Sequence, residues 1–476
     1  MRTRTLSSNW PAAAMLALAT VAAACAPAQA AQHPRALPQP AAPSPSANTL
    51  CITDAGSDPQ AAPTFRTVSP TAAASADATA PRTNLLTMVR TAIQRSNAVG
   101  AAKLLAEAAA IDIDGARAGY LPQVNLSGQA GGLTGGAVGS ASEKGANYQA
   151  GANVTAPLYD GGRTHDMIDY RKHLAEAARF GEISAQEQVA LQTVSLALDR
   201  SRYTVEAQVY DQYAQKMGCM VAALEQIVSV DRGRTSELVQ VKKSREQALF
   251  TRDQLLSQKR ILEIRLKRFV GDNLPSSEGV SSVMLDTPRL DDLITLASRS
   301  SDIQSLDAQA AAQDAYVQSL LDGQKPQLGV LLSASKSLGA SNTRSVSGGL
   351  TLSWQLFNGA NTYTNEAARK RAAAARLSRA DALEARKYRM AEVHEQAEHA
   401  MDRAHSLIDI LHNSELVRNF TLQQWQQLGR RSLFDVMAAE GDHYNMRVQY
   451  VDALYDTEQA NALLWSLGLG LAGHLE

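Results

Sequence analysis

The sequence predicts a mainly α-helical protein built from two similar halves, each of which carries one β-hairpin. Residues 151–164 (GANVTAPLYDGGRT) and 348–362 (GGLTLSWQLFNGANT) both alternate in polarity, turn at glycine and lead into a helical run. They lie roughly 200 residues apart, too far for a short solenoid unit, which indicates a duplicated half-molecule. A long proline-free run follows each segment, from residue 158 to 274 and from residue 327 onwards, as long helices require.

The first thirty residues indicate an export signal. Two arginines precede a short apolar stretch, and an A-x-A motif ends at Ala30, so residues 1–30 are predicted to be removed. The apolar stretch is too short to cross a bilayer as a helix. Cys25 lies near the end of this signal, and the absence of a large apolar residue at Ala22 favours its removal over lipidation.

Residues 31–82 form a low-complexity tract rich in Ala, Pro, Ser and Thr. Eleven of the sixteen prolines of the chain precede Arg82. Such a composition cannot bury enough apolar surface to offset the entropy lost on ordering. We therefore predict an Ala/Pro-rich disordered arm.

The first repeat, residues 83–274, is predicted to run helix, hairpin, long helix, break and helix. Apolar residues at helical spacing indicate the helices, and strict alternation indicates the strands. Glycine lets the chain turn between the hairpin and the long helix. The predicted bounds are 84–118 for the first helix, 121–131 and 148–159 for the strands, 162–229 for the long helix and 238–269 for the last helix.

After a linker at 275–289, the second repeat, residues 290–476, has the same order. Its predicted helices span 291–321, 361–427 and 433–467, and its strands span 328–337 and 345–357. Two further markers recur in step with the glycine turn: YLPQV at 120–124 matches QKPQL at 324–328, and GRTS at 233–236 matches GRRS at 429–432. The order of the markers is more informative than their modest identity.

Element lengths constrain the assembly. At 1.5 Å per residue each long helix spans roughly 100 Å, and strands of 10 to 13 residues are about long enough to cross a bilayer at a tilt. Four strands per chain cannot close a barrel, and an open sheet edge in lipid leaves backbone groups unpaired. Further copies must therefore complete the barrel: two copies give eight strands and three give twelve.

Composition and motifs argue against several other functions. The net charge of −1 suggests no nucleic-acid partner, and the abundant alanine favours closely approaching helices over a large globular core. His394 and His399 resemble part of a zinc-protease motif but stand at i, i+5, about 140° apart on a helix, so they do not share a metal. We find no catalytic constellation and predict no enzyme activity, cofactor or metal.

The doubled order of these motifs, over about residues 84–470, resembles the TolC-like family of outer-membrane channels. The resemblance implies a homotrimer with transmembrane β-structure: a twelve-stranded β-barrel in the outer membrane, continued by a long periplasmic α-helical barrel. It implies a passive exit duct of a type I secretion or tripartite efflux system, for protein or small-molecule cargo. The implied partners are outer-membrane lipid, a periplasmic adaptor and an inner-membrane ABC or proton-driven transporter. The poor match to a lipidation motif before Cys25 favours the secretion type.

The segment GRRSLFDV at 429–436 is similar to the family's segment at the periplasmic entrance. Arg431 and Asp435 match the positions of an arginine and an acid that contribute to the aperture. Their i, i+4 spacing predicts that both lie on one helical face, and three copies of Asp435 would form an acidic ring that favours cations. Ala438 stands where a second acid is found in the family. The alternative is an ordinary solvated charge pair.

Tyr159, Trp354 and Phe357 lie at the ends of the predicted hairpins. In a membrane barrel these side chains suit the aromatic girdle at the lipid interface. In a soluble protein they would be ordinary hairpin anchors.

A second class of function is a soluble periplasmic coiled-coil scaffold or adaptor, which long alanine-rich helices also allow. The duplicated strands of transmembrane length argue against it. Extraction distinguishes the two, because salt releases a scaffold whereas a duct requires detergent.

Overall fold

The computed structural model describes residues 79–135, 143–276, 280–339, 342–428, 430–468 and 470–475. The predicted signal peptide, Cys25 and most of the predicted arm lie outside these ranges. Long helices make up most of the described chain, and one antiparallel sheet stands at one end of them. None of the described helices is long and apolar enough to cross a membrane.

The described part of the first repeat contains four α-helices and two strands. Ser96 separates its first two helices by capping the second, since its side chain accepts a hydrogen bond from the Val99 amide at 3.4 Å. The elements are α1 (Thr79–Arg95), α2 (Asn97–Arg117), β1 (Gln123–Gly135), β2 (Glu143–Tyr159), α3 (Arg163–Val230) and α4 (Thr235–Val270).

The second repeat has the same order and ends with one short additional helix. Its elements are α5 (Leu290–Leu296), α6 (Ser301–Asp322), β3 (Gln327–Gly339), β4 (Arg344–Ser353), α7 (Gly359–Gln423), α8 (Leu433–Leu467) and α9 (Leu471–Leu475). A π-helical turn, Gln424–Leu428, extends α7.

Several predicted bounds need correction. The first predicted helix of each repeat is two helices, interrupted at Ser96 and by the 3-10 turn Ala297–Arg299, because serine competes for backbone hydrogen bonds. The first three strands are longer than predicted. Residues 354–357, predicted as strand, lie outside β4.

The four strands form one sheet in the order β1-β2-β3-β4, with every neighbouring pair antiparallel. The hairpins of the two repeats thus join through β2 and β3, where Val154 faces Leu332. β1 and β4 form the two edges of the sheet.

The helices pack along narrow seams. Five of the eight buried residues of α7 are alanine, which lets neighbouring helices approach closely. Larger side chains gather where α1, α3, α8 and α9 meet: Leu85, Met88, Leu198 and Tyr455 are each at most 2% exposed. There the Tyr455 hydroxyl hydrogen-bonds with Ser201 at 2.7 Å.

Candidate functional site: the sheet and the helical breaks

The sheet has one apolar and one polar face. Its strands alternate in polarity, and the register places like residues side by side. The apolar face includes Val124, Leu126, Val154, Val330, Leu350 and Leu352. These side chains are not covered by other elements at the edges, where Leu126 is 85% and Leu350 69% exposed.

The opposite face is lined with small polar side chains. It includes Gln123, Asn125, Ser127, Asn153, Ser333 and Ser347. Hydroxyl groups pair across the strands, with 2.7 Å between the Oγ atoms of Ser333 and Ser347 and 2.8 Å between those of Ser335 and Ser345. A sheet that alternates in this way suits a wall between lipid and water.

The three aromatic residues singled out from the sequence lie at the end of the sheet where the long helices begin. Tyr159 is the last residue of β2 and is 57% exposed. Trp354 directly follows β4, and Phe357 lies two residues before α7; they are 57% and 90% exposed. Their place in an aromatic girdle remains a prediction.

The turns from sheet to helix differ between the repeats despite their similar sequences. Asp160 accepts hydrogen bonds from the amides of Gly162 (3.1 Å) and Thr164 (2.7 Å). Gly161 and Gly162 have φ of +71° and +103°, which glycine adopts readily. In the second repeat Asn358 caps α7 through the Ala360 amide at 3.0 Å, so this turn does not require the same pair of glycines.

The end of α6 packs against the first of these turns. A Cβ atom on Gly162 would lie 2.6 Å from Asp322 Oδ2. Asp322 also pairs with Lys325 at 2.8 Å. Burial, with the nearby Asp322 carboxylate, raises the pKa of Asp166 in the first turns of α3. The junction between sheet and helices is therefore closely packed and charged.

The two helical breaks lie together at the other end of the long helices. The first is the 3-10 turn Arg232–Arg234 between α3 and α4, and the second precedes α8. An apolar cluster holds them side by side: Met217, Met220, Val221 and Leu224 of α3, Val241 of α4, and Leu433, Val436 and Met437 of α8. With α3 and α7 at 68 and 65 residues, roughly 100 Å of helix separates the breaks from the sheet.

The geometry at the second break corrects the prediction that Arg431 and Asp435 share one helical face, whereas their role at an aperture stays a prediction. Helix α8 begins at Leu433, so Arg431 precedes it and the helical i, i+4 relation does not apply. Arg431 Nε donates to Gln424 Oε1 at 3.3 Å. Asp435 forms a capping box with Ser432, accepting from its amide at 3.0 Å, and these hydrogen bonds lower the pKa of Asp435.

A buried polar cluster beyond the breaks was not predicted from the sequence. Glu440 of α8 is fully buried, with Lys216 Nζ at 3.8 Å and Arg418 Nη1 at 4.0 Å from its two carboxylate oxygens. His443, one turn further along α8, hydrogen-bonds with Ser414 Oγ at 2.9 Å. The cluster therefore connects α3, α7 and α8.

The electrostatics of His443 follow from this position. Burial, together with the positive charges of Arg418 and Arg447, lowers the pKa of His443 to about 3. The side chain is therefore neutral at physiological pH. Arg447 lies four residues further along the same helix, but Arg418 of α7 reaches His443 only through helix packing, so the sequence gives no signal of this environment.

A second, partly buried network links α3 to α8 nearer the middle of the helices. Arg202 contacts Glu206 at 2.8 Å, Asp452 at 2.7 Å and Asp456 at 3.2 Å. Burial and a hydrogen bond with Asp452 raise the pKa of Glu206 to about 7, against the opposing effect of Arg202. Only the pairing of distant helices reveals this grouping of three acids around one arginine.

His394 and His399, the pair that resembles a metal motif, do not meet at a common site. His394 Nδ1 lies 3.5 Å from Glu398, its neighbour on the same helix. His399 lines a separate cleft between α7 and α8 with Glu395, Arg403 and Asp456. Among the described residues, no group of three or more His, Cys, Asp or Glu side chains has the arrangement of a metal site.

Comparisons with known proteins agree with this architecture. Residues 88–260 match the model of the outer membrane efflux protein family. No curated protein sequence matches the chain.

Several solved channels share the fold. The structure of CusC is 15% identical, with a TM-score of 0.72 over 81% of this chain and 92% of CusC. VceC from Vibrio cholerae is 14% identical, with a TM-score of 0.69 over 82% of this chain and 97% of VceC. The open state of MtrE from Neisseria gonorrhoeae is 15% identical, with a TM-score of 0.66 over 82% and 89%. The resemblance to TolC-like outer-membrane channels is therefore confirmed, by a family match within the first repeat and by a shared fold across both repeats.

Proposed function

We propose that the protein is a passive exit duct of the bacterial outer membrane. Three copies form a twelve-stranded barrel, and their helices continue it as a periplasmic tunnel. The duct serves a tripartite efflux or type I secretion system. A periplasmic adaptor connects it to an inner-membrane transporter, which supplies the energy. The comparisons give no support to the alternative of a soluble scaffold.

The observation that carries this proposal is the two-faced sheet. Its exposed apolar face and its polar face have the alternation of a membrane barrel. Its edge strands β1 and β4 each have one side on which a further strand can pair, as barrel closure between copies requires. Tyr159, Trp354 and Phe357 stand at the level expected for the periplasmic interface of the membrane.

A matched pair of lysine substitutions tests which face meets lipid. Leu350 and Thr351 are adjacent, exposed residues of β4 that belong to opposite faces. Leu350→Lys is expected to cost about 2–4 kcal/mol, the cost of lysine near the bilayer midplane. Thr351→Lys is expected to be nearly neutral because it faces water. The readout is the fraction of protein that resists extraction by salt and migrates as a folded oligomer.

A second pair, Leu126→Lys and Ser127→Lys, repeats the comparison on β1. Equal effects within both pairs, or release of the unmodified protein by salt alone, would contradict the membrane barrel. Conductance in planar bilayers then reports whether the assembly forms an open path.

We also assign the second break, with Arg431 and Asp435, to the periplasmic aperture. Two observations support this. The break lies at the far end of the helices from the sheet, and Arg431 is exposed there while Asp435 is partly exposed. The capping box makes Asp435 part of the helix start, so a change in the aperture also moves its charge.

A further inference from the structure

Both helical breaks carry exposed arginines that form no ion pair with the described carboxylates. Each break contains two arginines and one aspartate. The guanidinium groups of Arg232, Arg430 and Arg431 have no carboxylate of the described residues within 4.0 Å, and all three residues are exposed. Arg234 pairs with Glu237 at 3.3 Å. We use the name basic rim for Arg232, Arg430 and Arg431.

The carboxylates of the same turns are already engaged. Asp231 accepts from the Gly233 amide at 2.9 Å, and Asp435 accepts from the Ser432 amide at 3.0 Å. Nearby, Glu225 pairs with Lys242 at 2.6 Å. Asp231 and Asp435 thus cap backbone amides and Glu225 pairs with a lysine. The three arginines of the basic rim are exposed, and Arg431 forms one hydrogen bond, to the neutral side chain of Gln424.

The basic rim is a single surface because the two breaks share one apolar cluster. Ile227 and Leu238, which flank the first break, pack against the same cluster as Leu433, which follows the second. Arg232 therefore comes from one repeat and Arg430 from the other, at breaks whose flanking residues pack in the same cluster. Charge that belongs to both repeats, and not only to the aperture segment, indicates a surface for end-on contact.

We propose that the basic rim docks a protein partner whose contacting surface is rich in carboxylates. Guanidinium groups bind carboxylates with charge-assisted hydrogen bonds, and complementary charge sets the association rate and register of an interface. This inference rests on the proposed function, since it specifies the chemistry of the partner at the tunnel end. In a symmetric trimer the rim is repeated around the end face.

The direct test uses the full-length, detergent-solubilised protein and a labelled oligoglutamate peptide as the probe. Binding is measured by fluorescence anisotropy at increasing salt, with oligolysine as the negative probe. Arg232→Glu/Arg430→Glu is expected to weaken oligoglutamate binding at least about tenfold. The affinity of the unmodified protein is expected to fall with salt, because exposed charges are screened.

A matched variant controls for nonspecific charge effects. Arg260 on α4 and Arg369 on α7 are exposed arginines of helices that adjoin the two breaks. They lie roughly 40 Å and 90 Å along the helices from the breaks. Arg260→Glu/Arg369→Glu is expected to keep the affinity within about twofold. Equal weakening by both double variants, or binding of polyphosphate without oligoglutamate, overturns the proposal.

Bilayer recordings separate this proposal from the proposed function. Oligoglutamate is expected to reduce the current only from the compartment that faces the helical end, and to do so much less in Arg232→Glu/Arg430→Glu. A normal current that the peptide does not affect would reject the basic rim as a docking surface and leave the duct intact. Absence of any current from the unmodified protein would reject the duct itself.

Discussion

His443 illustrates how a single buried side chain makes stability depend on pH. The unfolded chain takes up a proton at this residue near pH 6.5, whereas the folded chain does so only near its lowered pKa of about 3. The contribution of neutral His443 is thus fully present above pH 6.5 and is lost progressively as pH falls towards 3. The slope is at most about 1.4 kcal/mol per pH unit.

We expect His443→Gln to flatten the fall in stability between pH 7 and pH 4. The free energy of unfolding, or the thermal midpoint in detergent, is measured at several pH values for both proteins. His405→Gln serves as a control, because His405 is exposed on α7. An unchanged slope in His443→Gln would show that the side chain is not buried beside the arginines.

For Glu458 we predict the opposite dependence of stability on pH. Its side chain is fully buried, and burial raises its pKa well above the usual value, against the effect of the Met284 and Val283 amides. A raised carboxyl pKa contributes stability below the unfolded pKa that is lost as pH rises towards the folded value. Glu458→Gln is therefore expected to be relatively more stable than the parent at pH 8 than at pH 4. Parallel melting curves for parent and variant at all pH values would refute this.

Asp435 tests the charge of the aperture. Its hydrogen bonds keep it ionised, so Asp435→Asn is expected to weaken block of the channel by trivalent cations, while Arg430→Gln strengthens it. Ser432→Ala is the control: it removes a cap worth about 1 kcal/mol but no charge. Unchanged block in Asp435→Asn would remove the acidic ring from the aperture.

At the scale of residues, the sequence located charged positions better than it described their partners. Asp435 was identified, but its partner is the Ser432 amide and not Arg431, because the helix starts two residues after Arg431. Glu440 received no role from the sequence, yet it is buried between Lys216 and Arg418. Partners on other helices depend on packing, which helical spacing within one segment does not encode.

The first sheet-to-helix turn is the element whose backbone is most constrained. Gly162→Ala is expected to destabilise the protein, because alanine at φ of +103° is strained and its Cβ atom would contact Asp322. Gly359→Ala is the comparison in the second repeat, where Gly359 corresponds to Gly161 and alanine already stands at Ala360, the counterpart of Gly162. Gly359 has open space around its Cβ position and stands at a helix start, where alanine is well tolerated.

The measurement is the thermal midpoint of the two variants in the same detergent. The prediction requires a lower midpoint for Gly162→Ala and an unchanged or raised midpoint for Gly359→Ala. Equal effects would mean that the two turns adopt the same backbone conformation, as their sequences first suggest.

At the scale of elements, the long helices were the most predictable. The predicted 433–467 helix agrees with α8, and the predicted 162–229 helix agrees with α3 within one residue at each end. Long proline-free runs with helical periodicity leave few alternatives to a continuous helix. The interruptions at Ser96 and at Ala297–Arg299 were missed because a serine or a short 3-10 turn does not disturb the apolar pattern.

At the scale of the whole molecule, the length and assembly of the particle are open to measurement. Single-particle imaging without imposed symmetry is expected to show a threefold particle roughly 140 Å long, from about 100 Å of helix and about 40 Å of strand. Leu350→Lys is expected to reduce the fraction of such particles. A monomeric or twofold particle would reject the twelve-stranded barrel.

The architecture followed from the sequence because duplication and length limit the possibilities. Two hairpins of similar length, each leading into a helix of roughly 100 Å, place a sheet at one end and both breaks at the other. The number of copies in the assembly could not be predicted from the strand count, since four strands per chain allow closure by two or by three copies. That number depends on strand tilt and shear between chains, which the sequence of one chain does not display.

The edge strands β1 and β4 also have a genetic consequence. If several chains close one β-barrel, a single defective subunit disrupts the whole assembly. A defective allele should therefore act dominantly over a normal one. With equal synthesis and random mixing of three subunits, only about one assembly in eight would be free of the faulty chain. A bacterium carrying both alleles would thus resemble the mutant. By the same reasoning, a short β-hairpin that pairs with one edge strand would inhibit export.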